Sequence, residues 1–253
     1  MGAAGSFFSF LLSHIFTEKC LICGAAIPQS IDLGGRFDRA FYGFFCARHT
    51  FSPVTGIELP ARALCRSCWL KLSPALGQEP PLLGGVSVIA PFRTCSILLA
   101  LVKYLKYSDG RSAASPLSWW MAEALIRYAE KPGAPDLSEI VLVPVPLHRS
   151  RERRRRYNQA ELLARGIAAR SACGVRTDIV FRKKRTRSQA KLAPEKRKSN
   201  VAGAFRAAGG SASGGIVLVD DLVTTGETAG ECLRVLASAG HSVIAVLAAG
   251  TSL

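Results

Sequence analysis

The stretch Ile216-Val-Leu-Val-Asp220-Asp221-Leu-Val-Thr224-Thr225-Gly226-Glu227-Thr228 decides the fold of this 253-residue chain. Its first half is an unbroken apolar run, which predicts a strand over Gly215–Asp220 that is buried on both faces of a parallel sheet. A turn of small residues follows, and the spacing then predicts a helix over Thr228–Ala239, ended by Gly240. The stretch therefore predicts a strand, turn and helix, with two adjacent carboxylates at the end of the strand.

This strand end and turn have the chemistry of a site for a phosphorylated ribose. The carboxylates of Asp220 and Asp221 can accept hydrogen bonds from neighbouring hydroxyls, such as those on C2 and C3 of ribose. A helix N-terminus presents free N–H groups that suit a phosphate monoester, and Gly226 allows close approach of the backbone. Further hydroxyl donors come from Thr224, Thr225 and Thr228. A bare Asp-Asp pair would indicate only an acidic turn before a helix, whereas the whole pattern favours a sugar phosphate site.

Strands and helices alternate along the rest of the chain from Val86 onward. Further strands are predicted over Val86–Ala90, Glu139–Pro144, Val175–Phe181 and Ser242–Ala249, and further helices over Cys95–Tyr107, Trp119–Glu130 and Asn158–Ser171. This order predicts an α/β fold in which helices flank a parallel sheet. Ligands of such sheets lie at the carboxyl ends of the strands, where the loops after Val143 and Val219 begin.

Two Cys-x-x-Cys pairs precede this domain. Each pair, Cys20 with Cys23 and Cys65 with Cys68, offers two thiolates from one tight turn, so the pairs together predict a tetrahedral Cys₄ zinc site. A redox-active dithiol is the alternative. Between the pairs, Cys46 and His49 are either auxiliary ligands or an unrelated buried thiol and surface histidine. We predict a zinc module over residues 1–85, which ends in a Pro/Gly-rich linker, and a second domain over residues 86–253.

The net charge of +15 is concentrated in one region. The segment Arg149–Asn200 holds 18 Lys and Arg against 4 acids, a balance of 18 − 4 = +14, which leaves +1 for the rest of the chain. Such a field attracts polyanions, either a substrate rich in phosphate or a nucleic acid. The alternative is a solvated face that keeps the protein soluble.

The sequence also predicts where the protein works. No apolar run reaches the roughly 18 residues that span a bilayer. The N-terminal run Phe7–Leu12 follows no Lys or Arg, so it lacks the charged start of a secretory signal. We interpret this run as a docking helix and expect a cytoplasmic protein.

The stretch Ile216–Thr228 resembles the motif that binds phosphoribosyl pyrophosphate (PRPP) in type I phosphoribosyltransferases, at all 13 positions. The rest of the chain resembles the ComF family of competence proteins, which has GntX-like members, apart from the insertion Ser30–Leu59. The matching segments are the cysteine pairs, Leu105-Lys106-Tyr107, Val143–Leu147, Tyr157-Asn158-Gln159-Ala160, and Arg187-Ser188-Gln189 onward to Gly203-Ala204-Phe205. Tyr157 stands where this family more often has Gly-Phe.

The resemblance implies a type I phosphoribosyltransferase-like domain that binds PRPP with Mg²⁺. It implies that Asp220 and Asp221 act on the ribose, as catalytic residues if transfer occurs, and that Arg182–Arg206 closes over the site. The loop after the earlier strand would hold the pyrophosphate through Pro144, Val145, Pro146 and Arg149. The six arginines within Arg149–Arg156 would then compensate its charge.

Two functions fit this resemblance. The first is transfer of the phosphoribosyl group to an acceptor, by displacement at C1 of ribose through an oxocarbenium-like state. The second is a non-catalytic factor in natural transformation that handles single-stranded DNA and uses the fold as a PRPP sensor or docking module. Single-stranded DNA and competence proteins are the partners that the resemblance implies. No residue in the sequence identifies the acceptor.

Overall fold

The computed structural model describes residues 19–25, 64–75, 78–107, 111–184, 201–209 and 214–253. The chain divides into two compact units, Met1–Leu72 and Ser73–Leu253. The division therefore precedes the Pro/Gly-rich stretch Pro74–Gly85, of which Pro74 and Leu82–Leu83 pair as strands within the second unit. The N-terminal run, the insertion Ser30–Leu59 and the pair Cys46 and His49 lie outside the described residues.

The described part of the first unit consists of two tight turns, one for each cysteine pair. In the first turn the N–H of Gly24 donates to the carbonyl of Cys20 at 2.9 Å, and Gly24 has a φ of 72°. The second turn includes helix α1, Arg66–Trp69, and the N–H of Trp69 donates to the carbonyl of Cys65 at 2.9 Å. Each pair of thiols is therefore fixed by the backbone of its own turn.

The second unit is built on an eight-stranded, mostly parallel sheet, which confirms the predicted fold class. The strand order in this sheet is β1-β4-β10-β9-β5-β6. In addition, β3 pairs with β10 in parallel, and β2 pairs with β3 antiparallel. A separate antiparallel ribbon consists of β7 and β8. The strands are β1 (Ser73–Pro74), β2 (Leu82–Leu83), β3 (Val86–Ile89), β4 (Phe92–Arg93), β5 (Val141–Pro144), β6 (Gly174–Val175), β7 (Val180–Arg182), β8 (Phe205–Ala207), β9 (Ile216–Val223) and β10 (Val243–Thr251).

Helices cover both faces of this sheet. They are α2 (Ser96–Tyr107), α3 (Arg111–Ala129), α4 (Arg149–Arg155), α5 (Gln159–Ala168) and α6 (Glu227–Ser238), with a 3₁₀ turn at Leu137–Glu139. α5 packs against α3 and β9, whereas α6 packs against β10 and β9 of the sheet and against β8 of the ribbon. No helix in the described ranges is both long and apolar enough to cross a membrane.

Helix α3 begins eight residues earlier than the sequence predicts, at Arg111 rather than Trp119, although Pro116 lies inside it. A proline in a helix removes one hydrogen bond and crowds the preceding turn. The burial of Leu117, Trp120 and Met121, each at most 1% exposed, offsets that cost.

Two strand predictions need correction. The single strand predicted over Val175–Phe181 is wrong, because the chain leaves the large sheet after Val175 and enters the ribbon at Val180. A bidentate ion pair marks the bend, with Arg176 Nε 2.7 Å from Asp178 Oδ1 and Nη2 2.8 Å from Oδ2. The strand predicted to end at Asp220 instead continues to Val223, because its pairing with β10 continues to Thr251.

Candidate functional site

A cavity of about 540 Å³ opens at the carboxyl ends of β5 and β9. One wall is the end of β9 with the turn and first residues of α6, and it includes Asp220, Asp221, Thr224, Thr225, Gly226 and Thr228. The other walls come from α2, the loop after β5, α4, the first residue of α5 and the end of β7. All six residues that the sequence proposes for the ribose phosphate therefore line one cavity.

The two carboxylates point to opposite faces of the sheet, because neighbouring residues of a strand alternate. Asp221 faces the α2 and α5 side, where it is 4% exposed. Lys106 Nζ lies 2.7 Å from Asp221 Oδ1, and the Gln159 amide donates to Oδ2 at 2.8 Å. Both oxygens of this buried carboxylate are therefore engaged by side chains from two helices.

Asp220 has a different environment. Its Oδ1 accepts a hydrogen bond of 2.8 Å from the backbone N–H of Asp221. Burial, together with the charge of Asp221, raises the pKa of Asp220 to about 7, although Lys106 and Arg182 oppose that shift. The protonation of Asp220 therefore changes near neutral pH.

Gly226 is required where the turn meets α6. It is the N-cap residue, with a φ of 74° and no side-chain hydrogen bond to the helix. A Cβ built at this position would lie 2.5 Å from Leu83 Cδ1, so only glycine fits without a rearrangement. The first N–H groups of α6 lack partners within the helix, and they face the turn that lines the cavity.

Cations outnumber acids around the cavity. The lining basic residues are Lys103, Lys106, Arg151, Arg155 and Arg182, against the acidic Asp220, Asp221 and Glu227. Arg151 and Arg155 are four residues apart on α4, so they share one face of that helix. Burial lowers the pKa of Arg182 to about 10, which leaves the guanidinium charged at neutral pH. The cavity therefore carries an excess of positive charge.

The loop after β5 contributes less than the sequence implies. Val145 lines the cavity, whereas Pro144 ends β5, and Pro146 and Arg149 are not among the lining residues. Arg149 begins α4, whose N-cap is His148, and the cavity instead meets the arginines at positions 151 and 155. The helix thus selects which arginines of the basic run reach the site.

The sequence assigns no role to two of the residues that complete this arrangement, Lys106 and Gln159, whereas Arg155 belongs to the arginine run expected at the pyrophosphate and Arg182 to the segment expected to close over the site. Arg155 Nη1 donates to Gln159 Oε1 at 2.8 Å, and Gln159 in turn holds Asp221. Asn158 fixes the start of α5, since its amide donates to the Val145 carbonyl at 3.1 Å and its Oδ1 caps Ala160 N. In the sequence, Lys106 and Gln159 could be found only through the segments Leu105-Lys106-Tyr107 and Asn158-Gln159. These segments match the ComF family, but the match gives no chemical role for either residue.

The four predicted zinc ligands come together in the first unit. The Sγ atoms of Cys20, Cys23, Cys65 and Cys68 all lie within 4.8 Å of one another, and those of Cys23 and Cys65 are 3.6 Å apart. Zinc–sulfur bonds of about 2.3 Å need thiolates spaced in this way, so the donor set fits a tetrahedral metal ion such as Zn²⁺.

The thiols of this cluster differ in acidity. Burial opposes ionisation of Cys20, but N–H groups from neighbouring residues lower its pKa to about 6. Burial and hydrogen bonds with the other thiols raise the pKa of Cys68. A bound cation would stabilise the thiolate forms of the four side chains together.

Sequence comparisons place the chain among known proteins. It is 30% identical over 171 residues to the DNA utilization protein YhgH of Escherichia coli K12, which covers 67% of this chain and 73% of that protein. It is 31% identical over 149 residues to YhgH of Salmonella typhi, of which it spans 65%. Competence protein F of Haemophilus influenzae is 35% identical over 108 residues, 42% of this chain and 47% of that protein. No family model matches the chain. The match to the Escherichia coli protein, extended by that to competence protein F, shows that the chain belongs to the ComF family.

Proposed function

We propose that the cavity binds the phosphorylated ribose of PRPP and that the protein is a phosphoribosyltransferase of the ComF family. The observation that carries this proposal is the convergence of three chemistries on one cavity: two carboxylates, a helix N-terminus and a set of cations. Its volume of about 540 Å³ is within the range of small-molecule sites, about 300–1,000 Å³.

Each part of the cavity suits one part of PRPP. The turn Thr224–Thr228 takes the 5′-phosphate, since it combines N–H donors, hydroxyls and the positive end of α6. Asp220 and Asp221 take the ribose hydroxyls. Arg151 and Arg155 take the diphosphate, because guanidinium groups bind phosphate oxygens through paired hydrogen bonds.

We expect binding of the ribose to rearrange the contacts of Asp221. Both of its oxygens already accept hydrogen bonds, from Lys106 and Gln159. When a ribose hydroxyl donates to Asp221, Lys106 is released toward the diphosphate, where its charge is needed. The same lysine thus stabilises the buried carboxylate before binding and the ligand afterwards.

Mg²⁺ would be held mainly by oxygen atoms of PRPP and to a smaller extent by the protein. Asp220 would contribute to holding it, because one oxygen of Asp220 has no hydrogen bond among the described residues. The ion, when bound, neutralises charge on the diphosphate. The chain supplies positioning and fixed charges around C1 of ribose, without a protein nucleophile.

Titration of Mg²⁺ and PRPP into the full chain by calorimetry tests the proposal. Asp221→Asn should weaken PRPP binding by about 10- to 100-fold, because hydrogen bonds to charged groups contribute about 1.5–3 kcal/mol. Asp178→Asn is the matched control, since Asp178 is exposed and pairs with Arg176 outside the cavity. Failure of the unaltered protein to bind PRPP would disprove the proposal.

The second candidate is a non-catalytic factor that handles single-stranded DNA during natural transformation and senses PRPP through the same cavity. It is favoured by the names of the relatives, a competence protein and DNA utilization proteins, and by the +14 balance of Arg149–Asn200. Binding through the phosphate backbone requires an affinity that falls steeply with salt. A salt-independent affinity for oligonucleotides, measured by fluorescence anisotropy, would count against this candidate.

A radiolabelled PRPP assay with candidate acceptors separates the two functions. Release of diphosphate that depends on an acceptor is expected for a transferase. Binding of PRPP without release, in every acceptor mixture, favours the sensor.

A further inference from the structure

One face of helix α2 forms a wall of the cavity. Its lining residues are Leu99, Val102, Lys103, Lys106 and Tyr107. They are spaced i, i+3, i+4, i+7 and i+8, which is one continuous face of an α-helix. The opposite face is buried in the core through Leu98, Leu101 and Leu105, each 0% exposed. On the cavity face Val102 is buried and Lys106 pairs with Asp221, whereas Leu99, Lys103 and Tyr107 are exposed and available to a ligand.

That wall exposes apolar surface. Leu99 is 45% exposed and Tyr107 is 62% exposed. Exposed apolar side chains that cluster in a concave site mark ligand contacts more often than single ones on a convex surface. A flat, apolar group is the ligand chemistry that such a wall favours.

Tyr107 is held in place by the residues that organise the ribose site. The Arg155 guanidinium lies 5.1 Å from the centroid of the Tyr107 ring. Arg155 donates to Gln159, and Gln159 donates to Asp221. The aromatic ring is therefore connected, through two hydrogen bonds, to the carboxylate proposed to bind the ribose.

Lys103 gives this wall a positive charge that no described residue neutralises. It lies between Leu99 and Tyr107 on the helix, four residues from each, and it forms no ion pair with the described acids. Lys106 differs, because its charge is compensated by Asp221 at 2.7 Å. The surface thus presents an apolar contact, an unpaired cation and an aromatic ring in sequence.

We infer that this face of α2 is the acceptor subsite, and that its ligand is a flat heteroaromatic ring that carries a carboxylate. The ring packs on Tyr107, and the carboxylate pairs with Lys103, one turn away on the helix. The inference rests on the proposed function, since it names the acceptor class. In the transfer, a ring nitrogen bonds to C1 of ribose while the bond from C1 to the diphosphate oxygen breaks. The diphosphate leaves with the electron pair, and any proton on the nitrogen passes to water.

Matched pairs of probes test this subsite. Pyridine and pyrimidine rings, each as the carboxylate and as the carboxamide, are titrated by calorimetry into the full chain with Mg²⁺ and saturating ribose 5-phosphate. We expect at least one carboxylate to bind about 5- to 10-fold more tightly than its carboxamide, since a partly exposed ion pair contributes about 1 kcal/mol.

Two variants measure separately how much the ring and the carboxylate of the probe contribute to its affinity. Lys103→Met should reduce the affinity for the carboxylate to that for the carboxamide, while Lys131→Met, which removes a lysine outside this cavity, should not. Tyr107→Ala should weaken both members of a pair by about 10-fold, because stacking contributes about 1–3 kcal/mol. The control Lys131→Met should bind ribose 5-phosphate like the unaltered protein.

The outcomes distinguish the inference from the proposed function. If ribose 5-phosphate binds but no ring does, or if carboxylate and carboxamide bind equally, the acceptor assignment is overturned and the ribose site stands. Unaltered ring binding in Tyr107→Ala also overturns it. If ribose 5-phosphate itself fails to bind, the proposed function is wrong and the acceptor assignment falls with it.

Discussion

The cysteine cluster and the cavity are assembled in different ways. The cluster takes its four sulfurs from two short turns, each closed by its own backbone hydrogen bonds. The cavity joins Asp221 to Lys106, 115 residues earlier, and to Gln159, 62 residues earlier. A site built from local turns can be identified from spacing alone. A site built across the sheet can be identified in the sequence only by its local motif. The residues that set its charge and specificity come from distant segments that the fold places beside that motif.

The cysteine cluster should lose all of its zinc binding when one ligand is removed, and this is the largest effect that we expect. Cys65→Ser removes one of four thiolates, so the chain should lose its bound zinc, expected at about one ion per protein. Structural zinc contributes on the order of 10 kcal/mol to small modules. The first unit should therefore become sensitive to proteolysis while the second unit persists. Metal analysis by mass spectrometry and limited proteolysis measure both effects.

Cys95→Ser is the matched control for this substitution. Cys95 is half-buried in the second unit and lies outside the metal cluster, so its loss should leave the zinc content unchanged. Equal zinc content in the two variants would contradict a Cys₄ site.

Substitutions in the cavity should instead reduce stability and binding only in part. Gly226 provides the clearest example. Gly226→Ala combines a φ of 74° with a contact of 2.5 Å to Leu83, so we expect a loss of about 1–3 kcal/mol in the free energy of unfolding. Binding of ribose 5-phosphate should weaken with it. Urea denaturation followed by tryptophan fluorescence measures the first effect.

For Gly230, one turn along the same helix, we expect the opposite change in the free energy of unfolding. A Cβ there meets no atom within 4 Å, so Gly230→Ala should stabilise the protein by up to about 1 kcal/mol. If both alanines have the same effect, the turn is not constrained as described.

The last prediction concerns the pH dependence of stability, where the free energy of unfolding changes gradually with pH. The pKa of Asp220 is about 7 in the folded protein and about 3.9 in an unfolded chain. Between these values the folded state binds more protons, so this residue lowers the free energy of unfolding as pH rises, by at most about 1.4 kcal/mol per pH unit. Asp220→Asn should flatten that part of the profile. Parallel profiles for variant and unaltered protein between pH 4 and pH 7 would exclude the raised pKa.

The sequence predicted the parts of this protein that depend on local patterns. The apolar run into Asp220, the glycine turn and the amphipathic helix gave β9 and α6 close to their observed bounds. The opposite orientation of Asp220 and Asp221 could not be predicted, because it depends on how far β9 pairs with β10. Lys106 and Gln159 were matched to the family without a role, since their partner lies in a distant segment.

The unequal lengths of neighbouring strands have a consequence for what the cavity is. β5 stops at Pro144, which pairs with Val219, whereas β9 continues to Val223 with β10 along its other side. Beyond that point no described strand pairs with the free edge of β9, so the cavity occupies the place where a longer β5 would run. A ligand in the cavity would occupy the position of the absent strand residues. Lengthening β5 would fill the cavity with protein, so the proposed binding of PRPP depends on the early end of this strand.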